Sequence, residues 1–443
     1  MNGSTEANPA AVSATTKQAG DVRARWAWTE PSVWTDRMLT ALEHGVKGGI
    51  WFSLIDKVYT PANLMASYTK VAANGGAAGV DHVTVADFTK RLPENLEQLA
   101  AQLKDGTYRP HRVQRVNIPK PGTKDTRPLG IPTVYDRVAQ GAVRHVLEPI
   151  FERQFAEHSY GFRPGRGCKD ALCRVDELLK QGYRYVVDVD LQSYFDTIPH
   201  DKLLDEIRKY VADGRVLALI EAFLKADIFD GLRHWTPESG APQGAVLSPL
   251  LSNLYLNELD HHMARAGYAM TRYADDMVIP CRSREEAERA LAVMQAWTAQ
   301  AGLTLHPTKT KIVDAVTEGF DFLGYRFVQH RRYVRQKSLT KFRETIRAKT
   351  RRNPGRSLNM IIADVNCTLR GWFEYFKHSY RTTFPYLDGW IRMRLRSILR
   401  KRRNQPGRGR GADHQRWPNA YFAGQGLFNL TTAHALACQS SRR

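Results

Sequence analysis

Asp275 and Asp276 are adjacent carboxylates in a short turn between two mostly apolar stretches, Ala269–Arg272 and Met277–Cys281. Like charges repel, and each carboxylate there is short of solvation. A divalent cation removes both costs. A third carboxylate, Asp190, lies near the end of Tyr183–Leu191, a β-branched and aromatic run that reads as a buried strand. Three carboxylates suit hard cations, and together they could hold two Mg2+ ions about 3.5–4 Å apart, the spacing of two-metal phosphoryl transfer. One ion would lower the pKa of an attacking hydroxyl, and the other would steady a triphosphate and the departing pyrophosphate. Taken alone, the Asp-Asp pair says more about turns than about metals, because Asp is a favoured turn residue.

The elements around these carboxylates can be read from pattern. Residues 36–110 look mostly helical: Leu64, Tyr68 and Val71 share a helical face, and Gly75-Gly76 ends that run. Val113–Ile118 is strand-like within a proline-punctuated stretch. His200–Tyr210 and Val216–Leu224 read as helices, and Ala269–Cys281 as a hairpin around Ala274–Asp276. Ser283 with Glu286 forms a capping box that opens a helix to about Gln300. Phe320–Phe327 is a further strand or hairpin. Strands and helices mixed in one unit predict an α+β fold.

Charge narrows the partners. The 443 residues hold 65 Lys and Arg against 45 Asp and Glu, a net +20. Residues 331–410 hold 23 basic and 4 acidic residues, so nearly all the excess sits there. Such a segment favours a polyanion, nucleic acid before lipid. Arg392, Arg394, Arg396 and Arg400 alternate with apolar residues on a predicted helix. The five cysteines form no C-x-x-C pair and no zinc-finger spacing, so buried free thiols in a reducing compartment are expected. No apolar run is long enough to span a bilayer, and the N-terminus lacks a secretory pattern, so a cytoplasmic protein without a membrane partner is expected. Residues 1–35 read as a flexible tail whose tryptophans, Trp26, Trp28 and Trp34, dock its end.

Four more blocks surround Tyr273-Ala274-Asp275-Asp276. They are Arg127-Pro128-Leu129-Gly130-Ile131-Pro132, Ser159-Tyr160-Gly161-Phe162-Arg163-Pro164-Gly165-Arg166, Gly240-Ala241-Pro242-Gln243-Gly244 running into Ser248–Asn253, and Phe322-Leu323-Gly324. Their order and spacing resemble reverse transcriptases, and their wording resembles the group II intron maturase family, from about residue 50 to 400. The resemblance implies a right-hand polymerase, with fingers, a palm built on an antiparallel sheet, and an α-helical thumb or maturase domain. The division it suggests is a tail at 1–35, a helical extension of the fingers at 36–112, fingers and palm at 113–330, a basic thumb at 331–405 and a short segment at 406–443. Many family members end in an H-N-H endonuclease; about 40 residues follow the thumb here, so none is expected.

The implied activity is RNA-directed DNA synthesis from dNTPs with two Mg2+ ions, Mn2+ being a substitute. The implied partners are group II intron RNA, an RNA template and a DNA primer or target, with a monomer and a dimer both open. Asp190, Asp275 and Asp276 match the catalytic metal ligands, and the Leu191 carbonyl joins them. Lys120, Arg127, Phe195, Gln243 and Lys309 match dNTP-binding positions, with Phe195 at the sugar gate. Tyr273, Arg163 and Arg166 fall along primer and template, and Arg370, Trp372, Arg392, Arg394, Arg396 and Arg400 along thumb-bound RNA. Each has a plainer reading. Phe195 could be core, Lys120 and Arg127 solvated turn charges, and Arg163 and Arg166 helix caps. His158, His261 and His262 read as structural or surface residues, and Glu258 and Asp260 as the polar face of a helix. Three alternatives remain at this level: a splicing-only maturase, an RNA-dependent RNA polymerase, which Phe195 disfavours, and a host-adopted reverse transcriptase in DNA repair or phage defence.

Overall fold

The structure, a computed structural model, describes residues 22–119, 126–231, 233–352, 355–409 and 411–440. The chain forms two compact units, one of residues 1–175 and 187–311, the other of 176–186 and 312–443. No described helix is long and apolar enough to cross a membrane.

In the first unit the helix Val134–Glu152 is buried along most of its length. Thr133 caps it by accepting from the Asp136 N–H at 3.1 Å, which satisfies an end group that would otherwise lack a partner. The helix Pro61–Asn74 packs closely against it. Asn63 donates to the Ala142 carbonyl at 3.1 Å and Ser67 to the Val138 carbonyl at 2.7 Å. Gly141 makes this approach possible, because a Cβ there would lie 2.2 Å from Ser67 Oγ. The described end of the N-terminal segment docks as its tryptophans suggest: Trp34 is fully buried and its indole donates to the His145 carbonyl at 2.8 Å.

Two sheets frame the rest. Thr126–Ile131, Val113–Pro119, Ile228–Phe229 and His234–Trp235 are neighbours in that order. A second sheet runs Thr271–Tyr273, Asp276–Cys281, Tyr185–Val189 and Lys311–Asp314. The cap forms as its sequence suggests, with Ser283 accepting from Glu286 N–H, while the Glu286 carboxylate reaches one residue past the cap to Arg282 N–H.

The second unit holds a small sheet, Phe320–Phe322, Tyr325–Val328 and Arg331–Val334, and a helical part. Leu323-Gly324 and Gln329-His330 join these strands as two-residue turns with positive φ at every central position, the type I′ geometry that matches strand twist. The expected boundary at 330/331 falls inside this sheet, between His330 and the strand Arg331–Val334. The helices Gln336–Lys349, Leu358–Phe376 and Thr383–Arg402 enclose an apolar core. Phe422 and Leu430 are fully buried in that same core, so the short segment after residue 405 packs back on the helical body through them. Of the five free cysteines only Cys281 is buried; Cys173, Cys367 and Cys438 are exposed. The expectation of buried thiols therefore holds for one residue.

Candidate active site

The hairpin Thr271–Cys281 closes with Tyr273 opposite Asp276, leaving Ala274-Asp275 as a two-residue turn. Ala274 has φ +58°, a left-handed conformation that costs an L-residue about 1–2 kcal/mol. Its neighbour Arg272 and contacts from two distant stretches hold it there. The Arg272 side chain is fully buried and its Nη1 donates to the Ala274 carbonyl at 3.0 Å and to Asn253 Oδ1 at 2.8 Å. Its Nε donates to both Asp260 oxygens at 2.8 and 3.0 Å. Asn253 in turn donates to the Gly161 carbonyl at 2.6 Å. Gly161 lies directly against the turn, and a Cβ there would sit 2.3 Å from Ala274 N. Backbone bonds from Tyr160 N to Arg272 O and from Arg272 N to His158 O complete the clamp.

Asp260 is thus not on an exposed polar face, as the sequence suggested; it is 6% exposed and ion-paired with Arg272. Asn253, Asn257 and Asp260 follow one face of the helix Ser248–Arg265, and all three are buried. Polar residues at i, i+4 and i+7 in an otherwise apolar helix were the signal available, together with an arginine inside an apolar hairpin strand.

Asp190 stands just past the strand Tyr185–Val189. Its carbonyl accepts from His306 N at 2.8 Å and from Thr310 Oγ1 at 3.2 Å. Its carboxylate accepts from Lys309 Nζ at 2.9 Å. Burial pushes the Asp275 carboxyl above the ordinary carboxylate range; its own N–H and Arg272 pull it down, and the charge of Asp190 pushes it further up. Asp276 is exposed at the start of its strand, and Leu191 is buried, bridged to Leu305. Among the described residues no group of three or more His, Cys, Asp or Glu closes on one point as a metal cage does. Two electrostatically coupled carboxylates, one held up by burial, still form a hard-oxygen donor pair that a divalent cation would relieve. The Tyr273 hydroxyl meets the Cys168 thiol, and that bond, with partial burial, pushes the phenol up to about 12.

The residues expected at the nucleotide lie on a one-turn helix, a strand and a turn. Phe195 is half-buried on the one-turn helix Tyr194–Thr197, whose Tyr194 donates to the Ser252 carbonyl at 2.7 Å. Ala241 N donates to the Phe195 carbonyl at 2.7 Å, and a Cβ on Gly240 would lie 2.8 Å from that oxygen. Phe195 lines a cleft of about 570 Å³ with Arg115, Asp196, Trp235 and Pro242. The Gln243 carbonyl accepts from Gly130 N at 2.6 Å, and a Cβ on Gly244 would lie 2.6 Å from the Gly130 carbonyl, so these glycines let strand and turn backbones touch. Arg127 is exposed on its strand opposite Ile118. Lys120 lies outside the described residues.

Several expected nucleic-acid contacts are otherwise engaged. Arg163 has a side chain only 2% exposed, bound to Glu152 and to the Ala156 and Ser159 carbonyls. It braces the loop and has no surface to offer a primer or template. Arg166 turns back onto the Glu157 carbonyl and the Tyr160 ring. In the second unit Arg396 is 2% exposed and donates to Trp417 O and Asn419 Oδ1. Arg400 pairs with buried Asp413. Trp372 packs between Phe342 and Phe376, with centroids 4.4 and 5.0 Å away. Arg396, Arg400 and Trp372 thus serve the core rather than bound RNA. Arg370 remains exposed over Phe428, Arg392 is half-buried, and Arg394 lines a surface cleft.

Residues 118–327 match the family described as reverse transcriptase (RNA-dependent DNA polymerase), and residues 339–417 match the group II intron maturase-specific domain. The match over residues 118–327 defines the chain as a reverse transcriptase. Protein YkfC of Escherichia coli K12 is 31% identical over 350 residues, covering 70% of this chain and 87% of its own. The group II intron-encoded protein LtrA of Lactococcus lactis subsp. cremoris is 36% identical over 236 residues, covering 51% of this chain and 39% of its own. A solved chain of a partial Cas6-RT-Cas1–Cas2 complex is 23% identical with a TM-score of 0.37, covering 56% of this chain and 41% of that one. The chain belongs to the group II intron-encoded reverse transcriptase and maturase family.

Proposed function

We propose that the chain copies RNA into DNA from dNTPs with two Mg2+ ions, and that it binds its group II intron RNA, assists its splicing and supports its mobility. What supports the reading is the match of residues 118–327 to reverse transcriptases, together with Asp275 on a braced hairpin turn and Asp190 just past a strand end. These two residues would hold the cations, with Asp276 and the Leu191 carbonyl beside them; Mn2+ would substitute. Bound there, divalent cations lower the pKa of a primer 3′-OH and neutralise charge on the triphosphate.

The chain's own groups do the rest. Lys309 balances Asp190 and offers a charged donor to a triphosphate, as do Arg127 and Lys120. Phe195 excludes a ribose 2′-OH by bulk, Gln243 touches the nucleotide, and Tyr273 packs near the primer end. Arg370, Arg392 and Arg394 meet RNA phosphates. The bacterial cytosol and nucleoid supply both nucleic acids. The test is primer extension on an RNA template with dNTPs. Asp275→Asn should abolish extension and leave RNA affinity near that of the wild type. Full extension by that variant would remove Asp275 from the metal site.

A further inference from the structure

Two helices of the second unit, Gln336–Lys349 and Thr383–Arg402, pair guanidiniums with rings. Arg343 lies over the Tyr386 ring at 5.4 Å, and Arg347 and Arg394 over Trp390 at 5.9 and 5.5 Å. Residues four apart share a helix face and step about 6 Å along it. The result is a ladder of arginine and aromatic rungs. Beyond its second rung is a cleft of about 280 Å³, lined by Arg347, Arg352, Arg394 and Arg408 with Thr350.

No carboxylate lines this cleft, and among the described residues none of its four arginines makes an ion pair. Arg394 is fixed in place, its Nε donating to Thr350 Oγ1 at 2.6 Å and its Nη2 to Thr350 O at 2.9 Å. Burial lowers the Arg394 pKa, and the charges of Arg347 and Arg352 lower it further. A pre-set cluster of unpaired guanidiniums is a phosphate receptor, since each can fork onto two oxygens. One rung away Tyr386 is 63% exposed, although an aromatic ring of this kind would ordinarily seek cover. An exposed ring beside a phosphate receptor suits a stacked base.

We propose that this cleft holds a backbone phosphate of an unpaired polynucleotide strand while a neighbouring base stacks on Tyr386. The choice of ligand rests on the functional reading above. A paired strand keeps its bases inside the helix and has none to place on the ring, so the site separates unpaired from paired nucleic acid.

The test is fluorescence anisotropy of the full chain with a 5′-labelled 20-nucleotide unpaired RNA, the same RNA fully paired, and an unpaired DNA of equal sequence. Arg352, Arg408 and Tyr386 are all exposed, so their substitution leaves the core intact. Tyr386→Ala should weaken the unpaired strand about 5- to 100-fold, the range for losing one stacked base, and leave the duplex within about twofold. Arg352→Gln with Arg408→Gln should flatten the log–log salt slope by about 0.7 per lost contact. Loss on RNA and DNA alike supports a site for any unpaired strand; loss on RNA alone supports RNA as the occupant. Unchanged affinity and slope in the arginine double variant overturns the proposal, as does equal weakening of paired and unpaired RNA by Tyr386→Ala. Failure of the wild-type chain to bind any of the three would sink the functional reading as well, which separates the two failures.

Discussion

Replacing Asp260 with Asn tests whether the catalytic turn is held by a buried charge pair. The Arg272 and Asp260 side chains are 0% and 5% exposed. Removing one partner leaves Arg272 as a buried cation without a counterion, a change that costs about 3–5 kcal/mol. A domain's whole stability is about 5–15 kcal/mol, so the loss should be plain in urea or thermal unfolding. It should also reach the chemistry. Arg272 is the side chain that donates to the Ala274 carbonyl, and a reacting group misplaced by about 1 Å can lose 10²-fold in rate. Stability and activity then have to be separated. The paired change Asp260→Leu with Arg272→Met removes both charges and keeps the volume apolar, which is often neutral or stabilising. It also removes the tether on Ala274. The double variant should therefore unfold close to the wild type yet remain poor in primer extension, with a lowered kcat and a raised Mg2+ requirement. Two results would refute the reasoning: an Asp260→Asn protein within about 1 kcal/mol of wild type in stability, or a double variant with full extension.

Phe195→Ala should admit ribonucleotides, measured as the ratio of rNTP to dNTP incorporation; an unchanged ratio means that the half-buried ring serves the loop and not the sugar. Gly161→Ala forces a methyl to within 2.3 Å of Ala274 N, so extension should drop while binding of an RNA template stays within a few-fold; wild-type extension would mean that the turn yields without consequence. Hydrogen bonding to Asp136 holds the His111 pKa above its ordinary 6.5, with burial opposing and the Asp136 charge assisting. A raised folded-state value means that this stabilisation is complete below about 6.5 and fades as pH rises through the folded value. His111→Ala should flatten the stability loss in that window, read from urea midpoints at stepped pH; an unchanged slope would show that the pair contributes nothing.

The elements were legible because local pattern sets them. Apolar periodicity marked Pro61–Asn74, alternation and β-branching marked Tyr185–Val189, and Ser283 with Glu286 marked the start of a helix. The strand Arg331–Val334 was not legible, since its Arg-Arg-Tyr-Val pattern is mostly polar and its pairing partner supplies the reason to be extended. Arginines were the least legible residues. Arg163, Arg394 and Arg396 carry the same side chain, yet one braces a loop, one lines a cleft and one supports a core.

By itself the sequence determined the class of chemistry. Asp275-Asp276 alone reads more as a turn than as a metal site; the ordered blocks around it, from Arg127–Pro132 to Phe322–Gly324, carry the resemblance to reverse transcriptases that decided the chemistry. They depend on local order alone. What the tertiary structure decided is how Asp275 is presented. The left-handed Ala274 persists because neighbouring Arg272 is fixed by Asp260 and Asn253, and Gly161 packs on the turn, from stretches about 14 to 113 residues away in the chain. Spacing carries no record of such convergence. Whether a charge is solvated, paired or buried depends on the surfaces that other segments bring to it, and those exist only once the chain has folded.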